Sequence, residues 1–278
     1  GSSTSNDFGG DLAELLIFSR QLTSTEEQKV EGYLAHKWGV PSTLDSNHTY
    51  KDVPPVFDNK PLINGIASAP FFVIDEMSGL QIHLDANHDN SFNLSGSNVV
   101  SWSNKANSSY TFDQKSGTPT RVNGPNSKKV INFNGSTQLW TNSSFTDQDY
   151  SVVSVSRLTG GQNARLISSK DNWWLAGYWN GRVDTFYFDA PLNWGGTYNA
   201  DTNWHLHAVT MNNSDQGNTW VDFVQTTTNG NGAHDSNYVP GKISFGAQGN
   251  LNEASKGEVA ELLVFNKILS SDELTKLE

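Results

Sequence analysis

From Leu80 onward, apolar residues fall into short runs separated by Gly, Asn, Asp and Ser. The runs are 80–84, 99–102, 129–133, 151–157, 164–168, 173–178, 182–188, 205–211, 219–225, 242–245 and 259–265. Each is four to seven residues long and rich in β-branched or aromatic side chains, which suits a strand and is too short for a helix. Evenly spaced short strands with turn residues between them predict an all-β fold, a jelly roll or sandwich of two packed antiparallel sheets. Only two segments carry helical spacing. In the first, Thr23 and Glu26 stand three apart, so hydroxyl and carboxylate can each satisfy a free amide of a helix start. An apolar stripe at Val30, Tyr33, Leu34 and Trp38 follows, and Gly39-Val40-Pro41 ends it. In the second, Ser270 and Glu273 repeat the capping pair. One or two short helices are therefore expected beside the sheets.

The two helical segments belong to a longer repeat. Residues 11–31, DLAELLIFSRQLTSTEEQKVE, align without gaps on residues 258–278, EVAELLVFNKILSSDELTKLE, and ten of 21 positions are identical. Average residue usage would supply about one or two. In each copy an apolar run, Leu12–Phe18 or Val259–Phe265, predicts a strand that leads into the capped helix. The chain thus reads as one whole unit preceded by the tail of another. Residues 41–74 hold Pro41, Pro54, Pro55, Pro61 and Pro70 without periodicity, which marks an extended connection. The expected division is a strand-helix segment over 1–53, a linker over 54–74 and the main domain over 75–278. A lone strand carrying Leu12, Leu15, Leu16, Ile17 and Phe18 is a sticky edge, so it is expected to pair with the main domain or with a partner.

These residues carry a family resemblance. The stretch AELLIFSRQLTSTEEQKVEGYLAHKWGV resembles the C-terminal signature of laminin-G-like, concanavalin-A-like jelly-roll domains of large bacterial extracellular proteins. Asn47-His48, Tyr50-Lys51 and Pro54-Pro55 resemble the tail that trails it, and LQIHLDA at 80–86 with VINFNG at 130–135 resembles the opening strands. Gly177-Tyr178-Trp179 and Asn203-Trp204-His205 are similar to the family's middle. The resemblance implies a concanavalin-A-like sandwich that binds or scaffolds in tandem arrays on surface adhesins or polysaccharide-associated proteins. It also implies an extracellular location, neighbouring domains of the same polypeptide as partners, and structural roles for Tyr178, Trp179, Trp204 and His205. It does not imply catalysis.

Composition narrows the partners. The net charge of −11 lacks the clustered Lys and Arg that draw a phosphate backbone, so nucleic acid is not expected. No apolar run approaches the roughly 20 residues that span a bilayer, so membrane insertion is not expected. With no cysteine, disulfides and thiolate chemistry are excluded. The acidic surplus reads first as solubility, and second as a source of cation ligands.

Three groups of residues have the types that chemistry needs. Asp85, Asn87 and Asp89 alternate in LDANHDNSFN, a pattern that suits a hard cation such as Ca2+, while the plain alternative is an Asx turn leaving the first strand. The second group is aromatic: Trp173, Trp174, Tyr178, Trp179, Tyr187 and Trp194 are interleaved with Asn172, Asn180, Arg182, Asp184 and Asp189. A sugar site wants a flat apolar face for the C–H side of the ring and amides or carboxylates for its hydroxyls. The candidate ligand-binding residues are accordingly Asn172, Trp173, Trp174, Asn180, Arg182, Asp184 and Trp194, with a glycan or cell-surface polysaccharide as the ligand. Because neighbouring side chains on a strand point to opposite faces, Trp173 and Trp174 cannot both be core. Third, His205 and His207 share a strand face at a zinc-compatible spacing, but no third ligand accompanies them.

Enzyme signatures are missing. Retaining glycosidases place two carboxylates about 5–5.5 Å apart, and on this fold that takes a Glu-x-Asp-x-Glu run, which the chain lacks. Glu253, Glu258 and Glu261 form the nearest cluster, and Glu261 recurs as Glu14 in the other copy of the repeat. A non-catalytic binding module is the expected function, with a spacer or an accessory domain of a polysaccharide-degrading enzyme as alternatives.

Overall fold

The computed structural model describes residues 14–18, 20–52, 55, 74–106, 109–160, 165–188, 191–193, 197–214, 216–231 and 239–277. The chain divides into two compact units, Gly1–Phe72 and Val73–Glu278. Among the described residues no helix is long and apolar enough to cross a membrane.

The first unit is built on α1, Ser24–Lys37. Its start is the capping box that the spacing predicts: Thr23 accepts from the Glu26 amide, and the Glu26 carboxylate accepts from the Thr23 amide. Arg20 holds both Glu26 oxygens, at 2.7 and 3.0 Å. Gly32 lets Tyr50 pack against the helix, since a Cβ there would stand 2.5 Å from that of Tyr50. Residues 11–13 of the expected strand lie outside the described residues, and 14–18 form no ladder. Leu15 and Ile17 are mostly exposed.

The second unit is an all-β antiparallel sandwich. Its strands are β1 (Leu80–Asp85), β2 (Phe92–Ser95), β3 (Asn98–Trp102), β4 (Phe112–Ser116), β5 (Thr120–Asn123), β6 (Lys129–Asn134), β7 (Gln138–Thr141), β8 (Tyr150–Gly160) and β9 (Ile167–Ser169). They continue as β10 (Leu175–Trp179), β11 (Arg182–Tyr187), β12 (Pro191–Asn193), β13 (His205–Met211), β14 (Gln216–Val221), β15 (Val224–Asn231), β16 (Ile243–Phe245) and β17 (Lys256–Phe265), and α2 spans Ser271–Leu277.

One layer runs β15-β14-β13-β8-β17. Beyond β17 it forks: β1 pairs with Glu261–Phe265, while β6, followed by β5, β3 and β2, pairs with Lys256–Val259. The other layer runs β12-β11-β10-β9-β16-β7-β4. A single bridge, Trp102 to Phe112, joins the layers.

Period-two alternation sorts the side chains between two apolar clusters. Ile82, Leu84, Val152, Val209, Leu262 and Val264 face the opposing layer and pack with Phe112, Ile167, Trp174, Tyr178, Phe186 and Phe245 in the main core. Val153, Ala208, Leu263 and Phe265 point the other way, where Leu274 and Leu277 of α2 join Leu206 and Trp220 over them. The repeated segment therefore does two jobs in its second copy: ELLVF is a central strand buried on both faces, and the helix after it partly covers the outer face.

Candidate binding cleft

The fork beyond β17 opens a cleft. Asp85 ends β1 opposite Glu261, and Ile131 of β6 stands opposite Val259, so Ala260 lies where the two neighbours part. Ala86 closes the end of β1 by donating its amide to the Ala260 carbonyl at 2.9 Å. The gap is a cavity of about 390 Å³. Val130 and Val155 supply apolar lining, Trp204 an indole, and Asp85, Asn87, Lys128, Lys129 and Glu261 hydrogen-bonding groups.

Trp204 is half-buried and leads into β13. The Arg157 guanidinium lies over its ring, 5.1 Å from the centroid, and donates to Glu258 at 2.8 Å. The indole Nε1–H is buried and has no hydrogen-bond partner among the described residues. An unpaired buried donor costs about 1–3 kcal/mol, and because this N–H is closed off, the indole meets the cleft with its ring.

Glu261 is held from the β1 side. His83, 3% exposed, has Nε2 3.1 Å from Glu261 and Nδ1 against Asp75, whose other oxygen is 3.6 Å from Lys105. Burial works against a charge on His83, but the hydrogen bonds to Glu261 and Asp75 outweigh it and raise its pKa above the ordinary histidine value. A protonated His83 fixes the Glu261 carboxylate on the cleft wall.

The residues predicted as cation ligands lie at this cleft in other roles. Asp85 accepts the Asn87 amide at 2.8 Å, an Asx turn, and lies 3.8 Å from Lys105. Asn87 accepts the Lys129 amide at 3.1 Å, and Asp89 takes the Arg121 guanidinium at 2.6 Å. Each side chain spends an oxygen on a protein donor, and two cationic groups stand beside them. Among the described residues no set of three or more His, Asp or Glu side chains converges as metal ligands. The Asp85–Asn87 pair forms the Asx turn that was the plain alternative to a cation site.

The aromatic stretch is dispersed. Trp174 is fully buried, its Nε1–H donating to the Tyr150 hydroxyl at 3.1 Å, so it belongs to the core and not to a ligand surface. Asp184 is also fully buried and accepts the amides of Thr197 and Tyr198, which corrects its assignment to a site. Asn180 takes φ 51° beside Gly181 at φ 73° in the two-residue turn between β10 and β11, the geometry that favours Asn-Gly. Arg182 donates to Asn199 at 2.6 Å, and Asn172 ties the Val239 carbonyl to its own loop at 3.0 Å. Trp173, 51% exposed, stays at the surface. Trp194 lies outside the described residues.

The two histidines are structural. His205 sits between Asp222 at 2.7 Å and Asp201 at 2.9 Å. His207 is buried, with Nε2 donating to the Val183 carbonyl at 2.7 Å and its ring edge-on to Tyr178. The cleft itself escaped the sequence reading because its walls come from β1, β6, β8, β17 and the approach to β13. The signals were Asp85 and Asn87, read as cation ligands, and Trp204, assigned a structural role by resemblance.

No family model matches the chain, and no curated protein matches it. The fold does have solved counterparts. Domain 4 of AbnA, a GH43 extracellular arabinanase from Geobacillus stearothermophilus, in complex with arabinotriose, superposes with a TM-score of 0.51 at 16% identity, over 71% of this chain and 97% of that one. A GH54 α-L-arabinofuranosidase soaked with a cyclic sulfate inhibitor gives 0.50 at 12% identity, over 65% of this chain and 50% of that one. At these identities the likeness is one of fold, an antiparallel β sandwich.

Proposed function

We propose that Val73–Glu278 is a non-catalytic carbohydrate-binding module of the laminin-G-like type, working outside the cell as part of a large bacterial surface or secreted protein. The observation that carries this reading is the cleft at the β17 fork, where the Trp204 indole stands among carboxylate, amide and ammonium groups over an apolar lining. That mixture matches a sugar ring, which has an apolar C–H face and an equatorial belt of hydroxyls. The arabinotriose bound to the AbnA domain makes oligosaccharides of that class the first ligands to try.

The carboxylates near the cleft are already committed, which favours binding over hydrolysis. Asp85 accepts the Asn87 amide, Glu258 holds Arg157 and Glu261 holds His83. The spacer alternative expects Trp173, Trp174 and Trp194 to be buried; Trp174 is, Trp194 lies outside the described residues, and the exposure of Trp173 weighs against it. Titration calorimetry with arabino-, xylo- and gluco-oligosaccharides, on the wild type and on Trp204→Ala and Lys128→Ala, tests the reading. Binding should weaken about tenfold or more in Trp204→Ala. Undiminished affinity in both variants places the sugar elsewhere.

A further inference from the structure

Trp173 belongs to neither the cleft nor the core. It is 51% exposed, while Arg165, whose guanidinium lies 5.4 Å from the ring centroid, is 1% exposed. A buried guanidinium against the indole leaves the rest of the ring to solvent.

The support under this ring is fixed from several directions. The Arg165 guanidinium donates to the Trp173 carbonyl at 2.8 Å and is ion-paired with Glu253, while the Arg165 amide donates to the Glu253 carbonyl at 2.9 Å. On one side of Trp173, the Asn172 carbonyl accepts from Gln248 at 3.2 Å and its amide nitrogen holds Val239. On the other, Trp174 is locked in the core and its amide donates to Asn172 at 2.9 Å. Leu251 at φ 61° and Glu253 at φ 49° adopt the left-handed conformation without being glycine, so the turn that presents Glu253 to Arg165 is held against a local backbone cost.

We propose that Trp173 is a second saccharide-binding site, separate from the cleft, in which the indole stacks on the C–H face of a pyranose or furanose ring. The ligand class rests on the carbohydrate reading above. The site itself rests on the Trp173–Arg165–Glu253 arrangement. The platform is preorganised, so a ligand meets little of the side-chain ordering cost of roughly 0.5–1.5 kcal/mol that a free Trp would add. One exposed ring matches the C–H face of a sugar unit. It is far smaller than the roughly 800 Å² per partner of a stable protein interface. With a site at the fork and another at the Trp173 loop, one module would hold a glycan at two points, or two strands at once.

The test uses the whole chain labelled at its tryptophan indoles, whose nine N–H resonances report separately. Trisaccharides of arabinose, xylose, glucose and galacturonate are titrated one at a time, and Trp173→Ala and Trp204→Ala assign the two resonances. The expected result is a saturable shift of the Trp173 signal that persists in Trp204→Ala, with the calorimetric affinity that Trp204→Ala retains falling about tenfold or more when Trp173→Ala is added. If Trp204 responds and Trp173 does not, the second site is overturned and the cleft reading stands. If Trp173 alone responds, the cleft is overturned and the second site stands. Silence from both signals removes both. A Trp173 signal that ignores sugars but broadens with protein concentration marks a self-contact and also overturns the proposal.

Discussion

His83 Nε2 and Glu261 Oε1 lie 3.1 Å apart across the β1–β17 pair, two residues off the direct register in which Asp85 faces Glu261. The same carboxylate lines the cleft, so the protonation of a nearly buried imidazole bears on the cleft wall. Asp75, Lys105 and Asp85 are the other charged groups around this pair.

The His83 pKa is raised: burial opposes its charge, and the bonds to Glu261 and Asp75 outweigh burial. Its stabilising contribution is therefore complete below the unfolded histidine value near 6.5 and is lost as pH rises through the higher folded value. In an NMR titration the His83 ring should show a midpoint above 6.5. A midpoint at or below it contradicts the ion pairs.

His207 runs the other way. Full burial, set against one hydrogen bond to the Val183 carbonyl, depresses its pKa to about 4, while the unfolded imidazole takes its proton near 6.5. The folded state therefore loses up to about 3 kcal/mol as pH falls through that window. His207→Gln should flatten the acid limb of the stability profile between pH 6.5 and 4, as read by denaturant midpoints. An unchanged acid limb removes His207 as its cause.

Gly177, at φ 104°, is where β10 passes the His207 ring, and a Cβ there would stand 3.0 Å from three ring atoms. Gly177→Ala should cost about 1–3 kcal/mol, from backbone conformation and from displacing the ring. Gly96→Ala, at φ 64° with open space around it, supplies the control for conformation alone. Equal losses in the two variants would show that ring crowding contributes nothing.

Phe245 gathers the aromatic core, with ring centroids 5.2 Å from Phe112, 5.9 Å from Trp102 and 6.1 Å from Phe133. Phe245→Ala should destabilise the second unit by about 3–5 kcal/mol through lost burial and an unfilled cavity. A loss below 1 kcal/mol in urea unfolding would falsify that packing.

Asp85, Asn87 and Asp89 are bonded to protein donors, so melting curves in chelator and in millimolar calcium should coincide. A melting temperature that climbs with calcium concentration would mean that the ion binds the folded state, through groups other than this turn alone.

Features whose cause lies within a few residues were legible in the chain. The capping boxes at Thr23–Glu26 and Ser270–Glu273 form as their spacing predicts. The Asn180-Gly181 turn was legible for the same reason, although its asparagine was first read as a ligand. The apolar run 219–225, by contrast, turns at Asp222 and Phe223, both left-handed, into β14 and β15. No local signal marks that hairpin. Asp222 is held by His205 and by the Leu206 amide, which come from β13.

By itself the sequence determined the class of fold, the two capped helices and the duplication of a strand-helix segment, because periodicity and capping are properties of neighbours along the chain. It also required Trp173 and Trp174 to part company, because adjacent extended residues cannot share a face. Only the tertiary structure decided which of the two stays outside. It also decided that Glu261 meets His83 while its duplicate Glu14 meets Trp38 and Lys37, and that a cleft opens where β1 and β6 leave β17. The physical reason is that these outcomes depend on packing between elements, which joins residues well separated along the chain: 178 positions for His83 and Glu261, 24 for Glu14 and Trp38.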